Sequence, residues 1–139
     1  MANKINLAFF NAYLELDKIC AKRFSISKSG VTAYINNLVD TRYAPDRNEV
    51  LRKLIKYRKL RNILAHEAVA MTELNEISKD DIKWVNQFAK SVEINRDPIS
   101  RYERKLKRYE IWRKARIVLI ILGILAAIVA GVVVYNIIK

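Results

Sequence analysis

The chain is poor in the residues that interrupt helices, and this scarcity restricts its fold. Its 139 residues include three glycines and two prolines. Residues 1–100 show no sustained alternation of polar and apolar positions, which would be typical of a half-buried strand. The sequence therefore predicts an all-α protein. A chain of this length allows one soluble domain at most, so residues 1–97 are expected to form a small helical bundle.

Cysteine and histidine are also scarce, with one of each at Cys20 and His66. One cysteine cannot form an internal disulfide, and Cys20 falls on the apolar side of the first predicted helix, which indicates a core residue. One histidine, one cysteine and scattered carboxylates show no metal-ligand spacing. The three glycines form no loop that could cradle a phosphate. We therefore expect no metal and no other cofactor.

The longest apolar run lies near the C-terminus. Residues 117–138 contain no charged side chain. As a helix they would be about 33 Å long, which is enough to cross a hydrocarbon core of about 30 Å. They are therefore predicted to form a single transmembrane helix. Within it Gly123, Ala127 and Gly131 recur at every fourth position, a spacing that lets two such helices pack closely as a dimer.

Positive charge is concentrated beside this span. The net charge is +12, and residues 101–116 carry eight Lys or Arg against two Glu, whereas only Lys139 follows the span. The positive-inside rule then places the N-terminal domain in the cytoplasm. The basic juxtamembrane segment, 98–116, is expected to contact anionic lipid headgroups. The charge that remains is compatible with RNA binding but does not require it.

Apolar periodicity and capping signals divide the soluble part into amphipathic helices. We expect helices over about 4–23, 30–42 and 46–66, a fourth from 78, and a fifth that runs unbroken from 98 to 138. The second could be capped by Ser27 or Ser29. The third, fourth and fifth helices each begin at a capping signal. These signals are Asp46 with Glu49, Ser78 with Asp81, and Asp97 before Pro98.

The end of the third helix carries the most specific pattern of the chain. Helical spacing predicts an apolar stripe of five residues that continues into polar ones; its members are Val50, Leu51, Leu54, Ile55 and Tyr57. Two interpretations fit: the helix rotates its buried face where the bundle ends, or the polar continuation lines a cleft. The polar residues include Arg58, Arg61, Asn62 and His66.

These residue types suit chemistry on a phosphate. Histidine exchanges a proton near neutral pH, and arginine presents a permanently charged planar fork that matches a phosphate. Arg61 and His66 lie about 140° apart around one helix, so a site within one copy is awkward. Two copies related by a two-fold axis could bring both motifs together around one phosphate.

The segment Arg61-Asn62-Ile63-Leu64-Ala65-His66 resembles the Arg-x(4–6)-His signature of the HEPN family. The resemblance implies a compact helical bundle with this motif on its third helix, and a metal-independent endoribonuclease that acts as a homodimer. His66 would then serve as general base, Arg61 would neutralise the transition state, and Asn62 would orient His66 or bind phosphate. Arg58 is a candidate substrate contact. The products would be a 2′,3′-cyclic phosphate and a 5′-hydroxyl.

Three functions remain open at this point. The HEPN resemblance implies a membrane-anchored RNase, either a toxin or a phage-defence effector, with an antitoxin or another regulatory partner. The alternative is a non-catalytic membrane adaptor that uses the same cleft to bind a nucleotide or a protein. A pore-forming toxin or holin is the third, but four helix starts in the soluble part argue against it, since a pore former has little need of a folded bundle.

Overall fold

Every regular element of the described residues is a helix, which confirms the all-α prediction. The structure is a computed structural model that describes residues 4–67 and 69–139. The helices are α1 (Lys4–Arg23), α2 (Gly30–Asp40), α3 (Arg47–His66), α4 (Ala70–Glu73), α5 (Lys79–Glu93) and α6 (Pro98–Ile138). The short α4 is the one element that the sequence pattern did not predict.

The chain divides into two compact units, of which the first ends at Tyr102. In this unit α1 is central, because it packs against α2, α3, α4 and α5. Cys20 has no exposed surface, which confirms its place in the core. Ring contacts link the helices as well: the ring centroids of Phe9 in α1 and Tyr57 in α3 are 5.6 Å apart.

Helix α2 begins in close contact with the backbone of α1. A Cβ atom at Gly30 would lie 2.1 Å from the carbonyl oxygen of Asp17 and 2.2 Å from the amide nitrogen of Ala21. Only a residue without a side chain fits there. Ser29 precedes the helix in a left-handed conformation and its side chain makes no capping bond. The Asp17 carboxylate caps α2 instead, accepting the Val31 N–H at 2.8 Å.

Of the two predicted capping boxes, one is present in the structure and the other is not. The box that starts α5 is confirmed, because Ser78 Oγ accepts the Asp81 N–H at 3.1 Å and Asp81 Oδ2 accepts the Ser78 N–H at 2.9 Å. The box predicted at Asp46 is wrong. Asp46 has a φ of 57° and makes no side-chain cap, since its carboxylate is held by Arg101 at 2.6 Å.

A buried ion pair fixes the start of α6. Asp97 is 1% exposed and accepts the N–H groups of Ile99 and Ser100 at 3.2 and 3.3 Å, which confirms the predicted cap. Its carboxylate also accepts hydrogen bonds from Arg23 at 2.9 Å and from the Tyr34 hydroxyl at 2.7 Å. The first turn of α6 is thereby tied to α1 and α2.

The buried face of α3 corrects the predicted apolar stripe. Ile55 is 45% exposed and Leu51 is only partly buried. The buried face runs continuously along the helix instead, and α3 packs against α1 and α2. This face consists of Val50, Leu54, Tyr57, Leu60 and Leu64. The stripe therefore does not turn polar. Arg61 lies beside this face and is half-buried.

The second unit, Glu103–Lys139, belongs entirely to α6. Among the described residues this is the one helix that is long and apolar enough to cross a membrane. Within the described part of the chain, a Cβ atom at Gly123 or Gly131 would meet nothing within 4 Å.

We predict that Gly30→Ala destabilises the bundle by about 3 kcal/mol or more, because backbone atoms of α1 cannot move away without separating two helices. Thermal unfolding of the full chain in detergent, followed by near-UV circular dichroism, measures the effect. The matched control is Gly123→Ala, where the added methyl group meets open space. Equal midpoints for the two variants would contradict the close contact.

Candidate functional site

Three of the predicted site residues, Arg58, Arg61 and Asn62, line one pocket in the bundle. The pocket has a volume of about 410 Å³ and lies where α1, the start of α2 and the second half of α3 meet. We call it the basic pocket. Its lining is Tyr13, Asp17, Lys28, Ser29, Thr32, Arg58, Arg61 and Asn62. Its volume falls in the range of about 300–1,000 Å³ that is usual for sites of small molecules.

Positive charge dominates this lining. Lys28, Arg58 and Arg61 face a single carboxylate, Asp17, which is already bonded to the Val31 N–H. Among the residues that the structure describes, none of the three cations forms an ion pair. Clustered cations without carboxylate partners attract anions, so the arrangement suits a phosphate group.

Arg61 is held at the edge of the pocket by two weak contacts. Its Nη1 donates a hydrogen bond to Asn62 Oδ1 at 3.2 Å, and its guanidinium carbon lies 6.0 Å from the centroid of the Phe10 ring. The Arg61 Nε atom is buried and has no hydrogen-bond partner within the described part of the chain. A buried donor of this kind is costly unless a ligand or water satisfies it.

Tyr13 is the most deeply buried polar residue of the pocket. The residue is 3% exposed, and its hydroxyl makes no hydrogen bond to any residue in the described ranges. Burial, followed by the Asp17 carboxylate, raises the pKa of Tyr13 well above its usual range, while Arg61 and Arg58 act in the opposite direction. Tyr13 lines the pocket, and a phenol whose pKa is raised stays protonated at neutral pH and can donate a hydrogen bond.

His66 is not part of the basic pocket. It is the last residue of α3 and is exposed, as are the neighbouring Glu67 and the preceding Ala65. Asn62 lies one turn earlier and is exposed as well. A single copy therefore brings Arg58, Arg61 and Asn62 together without His66, in line with the wide angle between Arg61 and His66 on the helix.

Sequence reasoning did not identify Tyr13, Asp17, Lys28 or Thr32 as site residues. They come from α1 and from the start of α2, and only the packing of these helices brings them beside α3. The run Lys28-Ser29-Gly30 carried the only local signal, a basic residue and a glycine at a helix start. Within residues 4–67 and 69–139, no three His, Cys, Asp or Glu side chains lie together as metal ligands would.

These features define a class of protein: an all-α bundle with a basic pocket, followed in the chain by a helix able to cross a membrane. The chain belongs to the family of unknown function DUF6548, whose model matches residues 7–118. The match covers the bundle and the basic segment and ends just inside the apolar stretch. No curated protein and no solved structure matches the chain.

We predict that two arginines differ sharply in their effect on stability. Arg58→Ala should change the free energy of unfolding by no more than about 0.5 kcal/mol, because Arg58 has no ion-pair partner among the described residues. Arg23→Ala should cost about 3–5 kcal/mol, because it leaves the buried Asp97 carboxylate uncompensated. Urea unfolding of both variants checks this. A large loss in Arg58→Ala would mean that Arg58 serves the fold rather than a ligand.

Proposed function

We propose that the bundle binds RNA through its phosphate groups at the basic pocket, on a protein that residues 117–138 anchor in a membrane. The observation that carries the proposal is the convergence of Lys28, Arg58 and Arg61 on one pocket with no ion-pair partner in the described residues. Arginine and lysine supply most phosphate contacts in nucleic-acid complexes. The HEPN resemblance of the Arg61–His66 segment supports RNA as the source of the phosphate.

The distribution of charge supports a cytoplasmic orientation for the bundle. Residues 101–116 carry eight Lys or Arg, and segments of this kind stay on the cytoplasmic side. The bundle would then face the compartment that contains RNA, while the basic segment contacts anionic headgroups.

Binding is tested with the full chain in detergent micelles and a fluorescent single-stranded RNA, by anisotropy over a series of salt concentrations. Arg58→Ala and Arg61→Ala should each weaken binding by about tenfold, because each removes a charge-assisted contact. Each should also reduce the slope of log K against log salt by about 0.7, the value for one phosphate contact on a single strand.

Arg52→Ala is the matched control, since Arg52 is an exposed arginine of α3 outside the pocket. RNA binding is rejected at this pocket if all three variants bind as the wild type does.

A metal-independent endoribonuclease is the second candidate. The observation in its favour is that His66 is exposed at the end of α3, where a second copy of the chain can reach it. His66 would take the proton of the ribose 2′-hydroxyl, and Arg61 would stabilise the charge on the phosphorane-like transition state. As the 2′-oxygen attacks phosphorus and the bond to the 5′-oxygen breaks, His66 of the second copy would give the 5′-oxygen its proton. Asn62 would hold His66 or the phosphate. A toxin or phage-defence role, with an antitoxin partner, follows only from the HEPN resemblance.

Cleavage is tested by incubating RNA with the full chain in EDTA and analysing the ends of the products. We expect 2′,3′-cyclic phosphates from the wild type and from Lys59→Ala, an exposed α3 position outside the pocket. His66→Ala should lose at least about a hundredfold in rate, the usual contribution of a general base. If the wild type cleaves no faster than His66→Ala, the catalytic role of His66 is rejected.

A further inference from the structure

We propose that the basic pocket selects a terminal phosphate, that is, a phosphomonoester, over the phosphodiesters inside an RNA chain. This inference rests on the proposed function and names the chemical group that the pocket takes. The ligand class is an RNA end or a free nucleotide, which present the same group.

The charge of the pocket fits a dianion. Lys28, Arg58 and Arg61 against Asp17 leave a net of two positive charges. A phosphomonoester carries about −1.5 to −2 at neutral pH, whereas each phosphate within a nucleic-acid chain carries one negative charge. A diester would therefore leave part of the positive charge of the pocket unmatched.

The unpartnered donors fit a group with many acceptor oxygens. The Tyr13 hydroxyl has no partner among the described residues, and the Arg61 guanidinium makes one side-chain hydrogen bond there, to Asn62. Lys28 and Arg58, which also line the pocket, add further donors. A phosphomonoester offers three terminal oxygens to such donors, and a diester offers two.

Because Tyr13 lies deep in the pocket, the end of an RNA chain should bind there better than its interior. Because Tyr13 is 3% exposed, its side chain forms an inner wall that a ligand reaches only by entering the pocket. A phosphate with one ester substituent can place its free oxygens against this wall and keep its substituent outside. A diester must accommodate a sugar on both sides of the phosphate.

The start of α2 contributes to the site without constituting it. Ser29 and Thr32 line the pocket beside the first turn of the helix, where backbone dipoles favour an anion. The Asp17 carboxylate already accepts the Val31 N–H, so the helix end is partly satisfied. Selection therefore depends on the cations and on the Tyr13 hydroxyl.

The test uses the full chain in detergent with one internally labelled RNA in three forms: with a 5′-phosphate, with a 3′-phosphate, and with hydroxyls at both ends. One phosphorylated form should bind at least about tenfold more tightly than the hydroxyl form. AMP and adenosine are added as competitors. If AMP competes as strongly as the phosphorylated RNA, the pocket takes free nucleotides. If AMP competes more weakly, the pocket takes RNA ends. Both results support a phosphomonoester as the ligand.

Tyr13→Phe removes only the hydroxyl. It should reduce the preference for the phosphorylated form by about tenfold while leaving thermal stability unchanged, because the hydroxyl has no protein partner to lose. Tyr34→Phe is the matched control: it loses a buried hydrogen bond to Asp97, so stability should fall while the preference is retained.

The outcomes separate this inference from the proposed function. If the three RNAs bind equally, and Arg58→Ala weakens all of them, the terminal-phosphate inference is wrong and RNA binding at the pocket stands. If no RNA binds the wild type better than Arg58→Ala, both proposals fail. Loss of the preference in Tyr34→Phe as well as in Tyr13→Phe would also overturn the assigned role of Tyr13.

Discussion

The contact between the start of α2 and the backbone of α1 is the constraint on which the basic pocket depends. A Cβ atom at Gly30 would lie 2.1 Å from a carbonyl oxygen of α1, so only glycine allows the helices to approach this closely. The Asp17 carboxylate then caps α2 from the neighbouring helix. Together these contacts bring Lys28 and Thr32 into the same pocket as Arg58. If α2 began further from α1, the three cations would not share a pocket.

The bundle uses its charged residues in two distinct ways. Arg23 and Asp97 form a nearly buried pair whose carboxylate also accepts a hydrogen bond from the Tyr34 hydroxyl. This pair secures the first turn of α6, the helix that contains the apolar residues 117–138. Arg58 and Arg61 have no such partner among the described residues. The paired charges thus join α6 to α1 and α2, while the unpaired ones remain available to an anion.

Sequence patterns predicted the helices well because their signals are local. The apolar spacing in α1 and the reciprocal Ser78–Asp81 box depend on residues a few positions apart. The cap at Asp46 failed because Arg101, distant in sequence, holds that carboxylate. For the same reason the pattern identified the α3 half of the pocket but not Tyr13, since a tyrosine at helical spacing gives no sign of whether its hydroxyl finds a partner.

The most direct test of the account is to locate RNA on the protein. A single-stranded RNA containing 4-thiouridine is photo-crosslinked to the full chain in detergent, and the attached peptides are identified by mass spectrometry. Binding at the basic pocket predicts crosslinks within residues 28–32 and 58–62. Crosslinks confined to residues 103–116 would contradict it, because RNA would then be held only by the basic segment that precedes the apolar residues 117–138.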